Sequence, residues 1–272
     1  MLDFLDHVFH NGMQGQPVGY STVNTARSAL STFVTIDKLP VGQHPLVKRY
    51  LKGVFNIKPA LPRYECTGTC DLNVVLRYLY TLSPVAELSL KLLSYKLVML
   101  LCILSGQRCQ SIHLFDVYNM QLSFNKVEFV VVMPTKTSGP SSHNGTFEFL
   151  GYPPNRRLCV VTVLKEYLSR TLDARGKTKQ LLLTHRKPHG AATHDTVRRW
   201  IRSCLDLAGI DTSIFKAHSV RGASTSFADK HNVSLELIMK TAGWKSKCTF
   251  TKYYKFHVKE NYGQCILDAF QG

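Results

Sequence analysis

Acidic side chains are scarce in this sequence. Only 18 Asp and Glu stand against 34 Lys and Arg over 272 residues, which leaves a formal net charge of +16 at pH 7. A surplus of that size suits a polyanionic partner, and nucleic acid is the commonest large one. A ribosomal or membrane-surface protein, or a plain basic domain, is the blander alternative. Long apolar runs are missing as well. The run Leu97–Leu104 is bounded by Lys96 and Ser105 and is too short to cross a bilayer, so it is read as a buried helix. The opening MLDFLDHVFH has no basic region followed by a long apolar core and is not expected to be a secretory leader. The eight cysteines form no disulfide framework. Cys102, Cys109, Cys159 and Cys204 sit inside apolar runs, so a reducing compartment is expected. Cys66 and Cys70 are close, but no second pair follows at metal-binding spacing. Neither a P-loop nor an acidic metal cluster is present, and there are no internal repeats or low-complexity tracts.

What is present is a 44% hydrophobic chain, long enough for one large or two modest domains with a sizeable core. Leu2–His10 and Thr22–Thr35 carry helical periodicity, and Gly12, Gly15, Pro17 and Gly19 mark the loop between them. Val47–Phe55 is a third helix candidate carrying Lys48, Arg49 and Lys52. The stretch Lys58-Pro-Ala-Leu-Pro-Arg-Tyr breaks helix twice, which places a domain boundary at residue 60. Beyond it, Asp71 caps an apolar helix through Leu82, and Ser89 begins another that reaches Ser105. Lys126–Met133 alternates as a strand, residues 134–140 turn, and Gly145–Leu150 returns. Cys159–Thr171 reads as an amphipathic helix and Leu181–Leu183 as a short buried run. Thr193 or Asp195 caps a helix through Ala208 that ends at Gly209. Arg198, Arg199 and Arg202 on it are either phosphate contacts or an exposed face. The expected fold class is mainly α with a small antiparallel β-sheet (α+β).

The chemistry concentrates in residues 216–256. His218 and Arg221 stand three apart, which puts them on one helical face where they can address a single anion. Ser234 caps the apolar run Leu235, Leu237, Ile238 and Met239, which ends at Gly243. Trp244, Lys245 and the adjacent phenols Tyr253 and Tyr254 follow. Upstream, Ser105-Gly-Gln-Arg-Cys-Gln-Ser-Ile places Arg108 between a buried helix and a new short one, and Lys136 sits at a hairpin tip. Singly, each has a plain reading: a surface arginine, a solvated lysine, a core tryptophan, packing tyrosines.

Their order is more specific. Arg108, then Lys136, His218-x-x-Arg221, Trp244 and a tyrosine resembles the catalytic series of the tyrosine recombinases (phage integrase family). The likeness covers residues 62–256 firmly and the N-terminal segment more loosely. Ser-Gly-Gln-Arg-x-Gln-Ser-Ile and Thr-Phe-x-Lys-Tyr-Tyr are similar to DIRS-like retrotransposon members. The resemblance implies a helical DNA-clamping domain over residues 1–60, expected to be incomplete, and a catalytic domain over 61–272. It implies that Arg108 and Arg221 neutralise the non-bridging oxygens of a phosphodiester. Lys136 would protonate the leaving 5′ oxygen, and His218 would take or position the phenolic proton. Trp244 would pack on the tyrosine segment, and Tyr254, favoured over Tyr253, would form a 3′-phosphotyrosyl bond. No metal or other cofactor is required. Lys48, Arg49, Lys52, Arg198, Arg199, Arg202 and Lys245 are the candidate DNA contacts. The implied partner is double-stranded DNA, bound in a synaptic homotetramer, with a monomer in its absence and no membrane association. The tail Val258–Gly272, with Ile266, Leu267 and Phe270, is a candidate exchanged element. A DIRS-like member would work in the nucleus, and any other in the cytoplasm. The alternatives are a catalytically silent DNA-binding relic of a mobile element, a topoisomerase-like enzyme, and an unrelated RNA-binding domain.

Overall fold

The structure, a computed structural model, describes residues 1–12, 15–59, 69–135 and 145–244. The chain divides into two compact units, Met1–Cys66 and Thr67–Gly272. In the first, helices α1 (Leu2–Asn11), α2 (Tyr20–Leu30) and α3 (Pro45–Ile57) pool their apolar stripes. Leu5, Phe9, Val23, Val47, Leu51 and Val54 form its core. Pro45 opens α3 at a position where its missing N–H costs nothing, and the His44 ring accepts the Leu46 amide.

One expected helix is shorter than its periodicity suggests. Thr22–Thr35 is helical only to Leu30, and Thr35–Ile36 (β1) pairs antiparallel with Leu39–Pro40 (β2). The turn between them, Asp37-Lys38, has positive φ at both residues (49° and 63°), the backbone of a tight two-residue hairpin. β-branched Thr35 and Ile36 favour the strand once that turn forms.

The second unit is built around α5 (Leu90–Ser105). Ser89 caps it, its hydroxyl accepting the Leu92 amide, and every residue from Leu93 to Ile103 is buried. A helix apolar on all sides needs neighbours on all sides. They are α7 (Val160–Arg175), α8 (His194–Leu207) and α9 (Ser219–Lys230). Even Lys96 is enclosed, its ammonium donating to the Leu82 carbonyl at the end of α4 (Leu72–Thr81), which Asp71 caps. Beyond α5 come the short α6 (Cys109–His113) and a three-stranded antiparallel sheet. The sheet runs β3 (Met120–Leu122), β4 (Lys126–Val130), β5 (Thr146–Leu150), with Val130 opposite Thr146. Its inner face is Val127, Phe129 and Phe149, and Phe115 stacks on Phe129 at 4.3 Å. The strand expected to reach Met133 ends at Val130, because the described ladder partners stop there and Val132 and Met133 are exposed.

Helix α7 runs on past Thr171 to Arg175, a buried guanidinium that donates to the Thr171 hydroxyl and the Gln180 and Leu181 carbonyls. Thr193, not Asp195, caps α8. Ser234 caps α10 (Leu235–Ala242), which ends at Gly243 in the left-handed conformation (φ 69°). Among the described residues, no helix is long and apolar enough to cross a membrane.

Candidate active site

The site begins where α5 stops. Gly106 takes a left-handed conformation (φ 56°), which turns the chain so that Arg108 becomes the residue before α6. A Cβ at position 106 would stand 3.2 Å from Thr225 Cγ2 and 3.8 Å from Ala242 Cβ. Glycine therefore lets α5, α9 and α10 converge just behind Arg108.

Arg108, His218 and Arg221 line one cavity of about 220 Å³, with Arg198 and His194 of α8 at its wall. His218 precedes the first residue of α9 but already has helical φ/ψ (−67°, −26°), so the three-residue spacing carries it to the side of Arg221. Their exposures differ: His218 is exposed, whereas Arg221 is 2% exposed. The buried guanidinium is held at its rim. Its Nη2 donates to the Ala242 carbonyl at 2.8 Å, and its carbon lies 4.6 Å from the centre of the Trp244 ring. The last carbonyls of a helix lack intrahelical partners and carry partial negative charge, so a cation there is stabilised. Stacking on the indole adds to this. Trp244 itself is 8% exposed, packs with Ile238 and Ala242, and donates its backbone N–H to the Met239 carbonyl at 2.9 Å.

A larger cavity of about 710 Å³ also has Arg108 in its lining. Its walls are the sheet (Glu128, Thr146, Glu148) and the last residues of α10 through Trp244. Thr135 and Gly145, which bracket the segment containing Lys136, also line it. Lys136, Lys245, Tyr253, Tyr254, Cys66 and the tail Val258–Gly272 lie outside the described residues. So does most of the Pro-rich stretch. The sequence did not single out Glu128 and Glu148. They face each other across β4 and β5, and Lys126 bridges them at 2.9 and 3.1 Å. The Lys126 hydrogen bond holds the Glu128 carboxyl below its ordinary value and raises the lysine. Burial pushes the thiol of Cys109, beside Arg108, up to about 11, which disfavours its thiolate.

Gln107 carried no separate signal in the sequence beyond its place beside Arg108. It is 8% exposed and reaches the Thr241 carbonyl of α10 through its side-chain amide at 2.6 Å. The basic residues offered as DNA contacts are, where described, all on the surface. Lys48, Arg49 and Lys52 are exposed on α3, opposite its buried Val47, Leu51 and Val54. Arg198, Arg199 and Arg202 are exposed on α8. Arg198 pairs with Asp195 at 3.3 Å, and Arg199 donates to the Thr196 hydroxyl at 3.2 Å.

No family model matches the chain. A curated relative, the integrase/recombinase xerD homolog of Selenomonas ruminantium, is 23% identical over 125 residues, 46% of this chain and 37% of that protein. The match thus spans little more than a third of that relative's length. Among solved structures, XerH site-specific recombinase bound to palindromic difH substrate, a post-cleavage complex, is similar over 98% of this chain and 70% of that one. Its TM-score is 0.56, with 14% identity. XerA recombinase aligns over 100% of this chain and 90% of its own, with TM-score 0.52 and 15% identity. At such identities the likeness is one of fold: a mostly helical chain with small antiparallel sheets.

Proposed function

We propose that this chain is a tyrosine recombinase, which breaks and rejoins double-stranded DNA through a 3′-phosphotyrosyl intermediate in site-specific recombination or integration of a mobile element. The observation that carries this reading is the 220 Å³ cavity shared by Arg108, His218 and Arg221, three groups drawn from the end of α5 and the start of α9. A phosphodiester resists attack because its negative oxygens repel nucleophiles, so the protein must neutralise them as charge builds on the phosphorane. Two guanidiniums converging on one cavity supply that neutralisation with bidentate donors. The imidazole, ordinarily near neutrality, takes or positions the phenolic proton. Lys136 is the general acid for the leaving 5′ oxygen in this reading, and Thr135 and Gly145, the described residues on either side of its segment, line the adjoining cavity. Trp244 acts by seating Arg221. Tyr254 is the nucleophile in this reading, with Tyr253 the alternative. The phosphotyrosyl bond retains the free energy of the one broken, so a 5′ hydroxyl from another strand reseals it, and no step calls on a metal or nucleotide.

The wider reading takes the segment up to residue 60 as part of a DNA-clamping domain and residues 61–272 as the catalytic domain. It takes Lys48, Arg49, Lys52, Arg198, Arg199, Arg202 and Lys245 as backbone contacts. The working form is a synaptic homotetramer on duplex DNA. The sequence phrases around Arg108 and Tyr254 support a DIRS-like retrotransposon source and hence a nuclear site of action. The test is trapping on a nicked suicide duplex without metal, using wild type, Tyr253→Phe and Tyr254→Phe, read on a denaturing gel. The expected result is a covalent protein–DNA adduct lost only in Tyr254→Phe. A duplex that is bound but never linked overturns the enzymatic reading in favour of a silent DNA-binding relic.

A further inference from the structure

Helix α10 matters because the chain leaves it at Trp244 on the way to Tyr253 and Tyr254. The last four carbonyls of a helix have no partner inside it, and each buried one must find another. In α10 all four are accounted for. Met239 and Lys240 accept the backbone N–H groups of Trp244 (2.9 Å) and Gly243 (3.2 Å). Ala242 accepts from Arg221 Nη2 at 2.8 Å, and Thr241 accepts from Gln107 Nε2 at 2.6 Å. So two of the four are held by side chains, one from each of the segments that carry the cavity's arginines.

The Gln107 contact is built, not incidental. The side chain is 8% exposed. Its orientation is fixed at both ends, because a carbonyl can only accept and must therefore meet the NH2 end. Its Oε1 in turn accepts the Ser111 hydroxyl at 3.3 Å, a residue of the short helix that Arg108 precedes. The bridge spans 134 positions of sequence and joins the residue next to Arg108 to the residue three before Trp244.

Resting on the strand-cleavage reading, we propose that Gln107 is a positioning residue: it fixes the end of α10, and with it the start of the tyrosine-bearing segment, against Arg108. Both polar ends of its side chain are engaged within the protein, Nε2 on the Thr241 carbonyl and Oε1 on the Ser111 hydroxyl, although the residue also borders the cavity. Its role is to keep the departure point of the nucleophile in register with one of the two phosphate-gripping arginines, while Arg221 holds the next carbonyl, that of Ala242.

The test compares wild type with Gln107→Met, which keeps the side chain's length but neither polar end, and with Ser111→Ala, which removes only the hydroxyl that orients the amide. Three quantities are read: affinity for the uncleaved duplex, single-turnover adduct formation on the nicked duplex, and hydrogen exchange at the Gly243 and Trp244 amides. For Gln107→Met the expected outcome is adduct formation slowed at least about tenfold, with duplex affinity within about twofold of wild type. Faster exchange at both amides should accompany it. Ser111→Ala should move the same readouts severalfold less, and it carries the test if Gln107→Met does not fold. A purely structural role would lower melting temperature and affinity together without splitting cleavage from binding. Cleavage at the wild-type rate in Gln107→Met overturns the proposal alone. A wild-type protein that binds the duplex yet forms no adduct overturns the strand-cleavage reading instead. The positioning claim is then decided by exchange, which overturns it if the two amides stay as protected as in wild type.

Discussion

At the scale of single residues, two side-chain environments make sharp predictions. Gly106 combines a left-handed backbone with a neighbouring Thr225 methyl that a Cβ would meet at 3.2 Å. Gly106→Ala should therefore cost about 1–2 kcal/mol for the backbone alone, measured by urea unfolding. It should also slow adduct formation, because the displaced turn carries Arg108. Lys96 offers a pH signature. Burial first, and Arg157 second, bring its ammonium down to about 8 from the ordinary 10.5. The unfolded chain thus binds the proton more tightly, so stability rises with pH across that interval and is lowered by the charged lysine beneath pH 8. Lys96→Met should flatten the rise in denaturation midpoint between about pH 8 and pH 10; an unchanged slope would show that the ammonium is not responsible. Arg108, His218 and Arg221 could be offered as candidates because side-chain type and order along the chain single them out, and the structure brings all three to one cavity. Gln107 could not be, since its meaning lies in a carbonyl 134 residues away, and a backbone acceptor leaves no mark in a sequence.

At the scale of elements, the helices whose starts were readable had a hydroxyl or carboxylate cap directly before an apolar run: Asp71, Ser89 and Ser234. The capping atom and the hydrophobic face are both written locally, so local reading suffices. The helix read over Thr22–Thr35 was carried too far because residues past Leu30 still fit a helical period, and the Thr35–Pro40 hairpin drew no reading of its own, since it depends on a turn with two positive φ angles. Elements also decide what Arg221 can do. It seats the end of α10 through Ala242 and the Trp244 ring, and both interactions depend on a planar fork. Arg221→Lys keeps the charge but not the fork. It should retain duplex affinity within severalfold while adduct formation falls about a hundredfold, measured side by side on the same nicked substrate. Equal losses in binding and cleavage would instead mean that the position serves as a simple point charge.

At the scale of the molecule, the +16 charge is the broadest clue and the least specific one, because charge says that a polyanion is welcome without saying where. The fold class was legible from the mix of helical periodicities with one alternating hairpin. The placement of the basic residues was legible only as two possibilities, phosphate contact or solvated face. Exposure agrees with both. Lys48, Arg49 and Lys52 are exposed on α3 while Val47, Leu51 and Val54 fill the core of Met1–Cys66, so alanine at the three basic positions should leave that core intact. If they neutralise phosphates, each releases condensed counterions on binding. The slope of log K against log salt should then become shallower by about 0.9 for each phosphate left unneutralised, or roughly 2.7 for all three. Affinity for duplexes of any sequence should weaken uniformly, since backbone interactions carry no base information. Removing Arg199 and Arg202 from α8 in the same way should subtract about 1.8 more, because sites on separate units add when they share no partners. A triple variant that melts like wild type and keeps the full slope would make the α3 face solvated surface, and would confine the DNA footprint to the unit Thr67–Gly272.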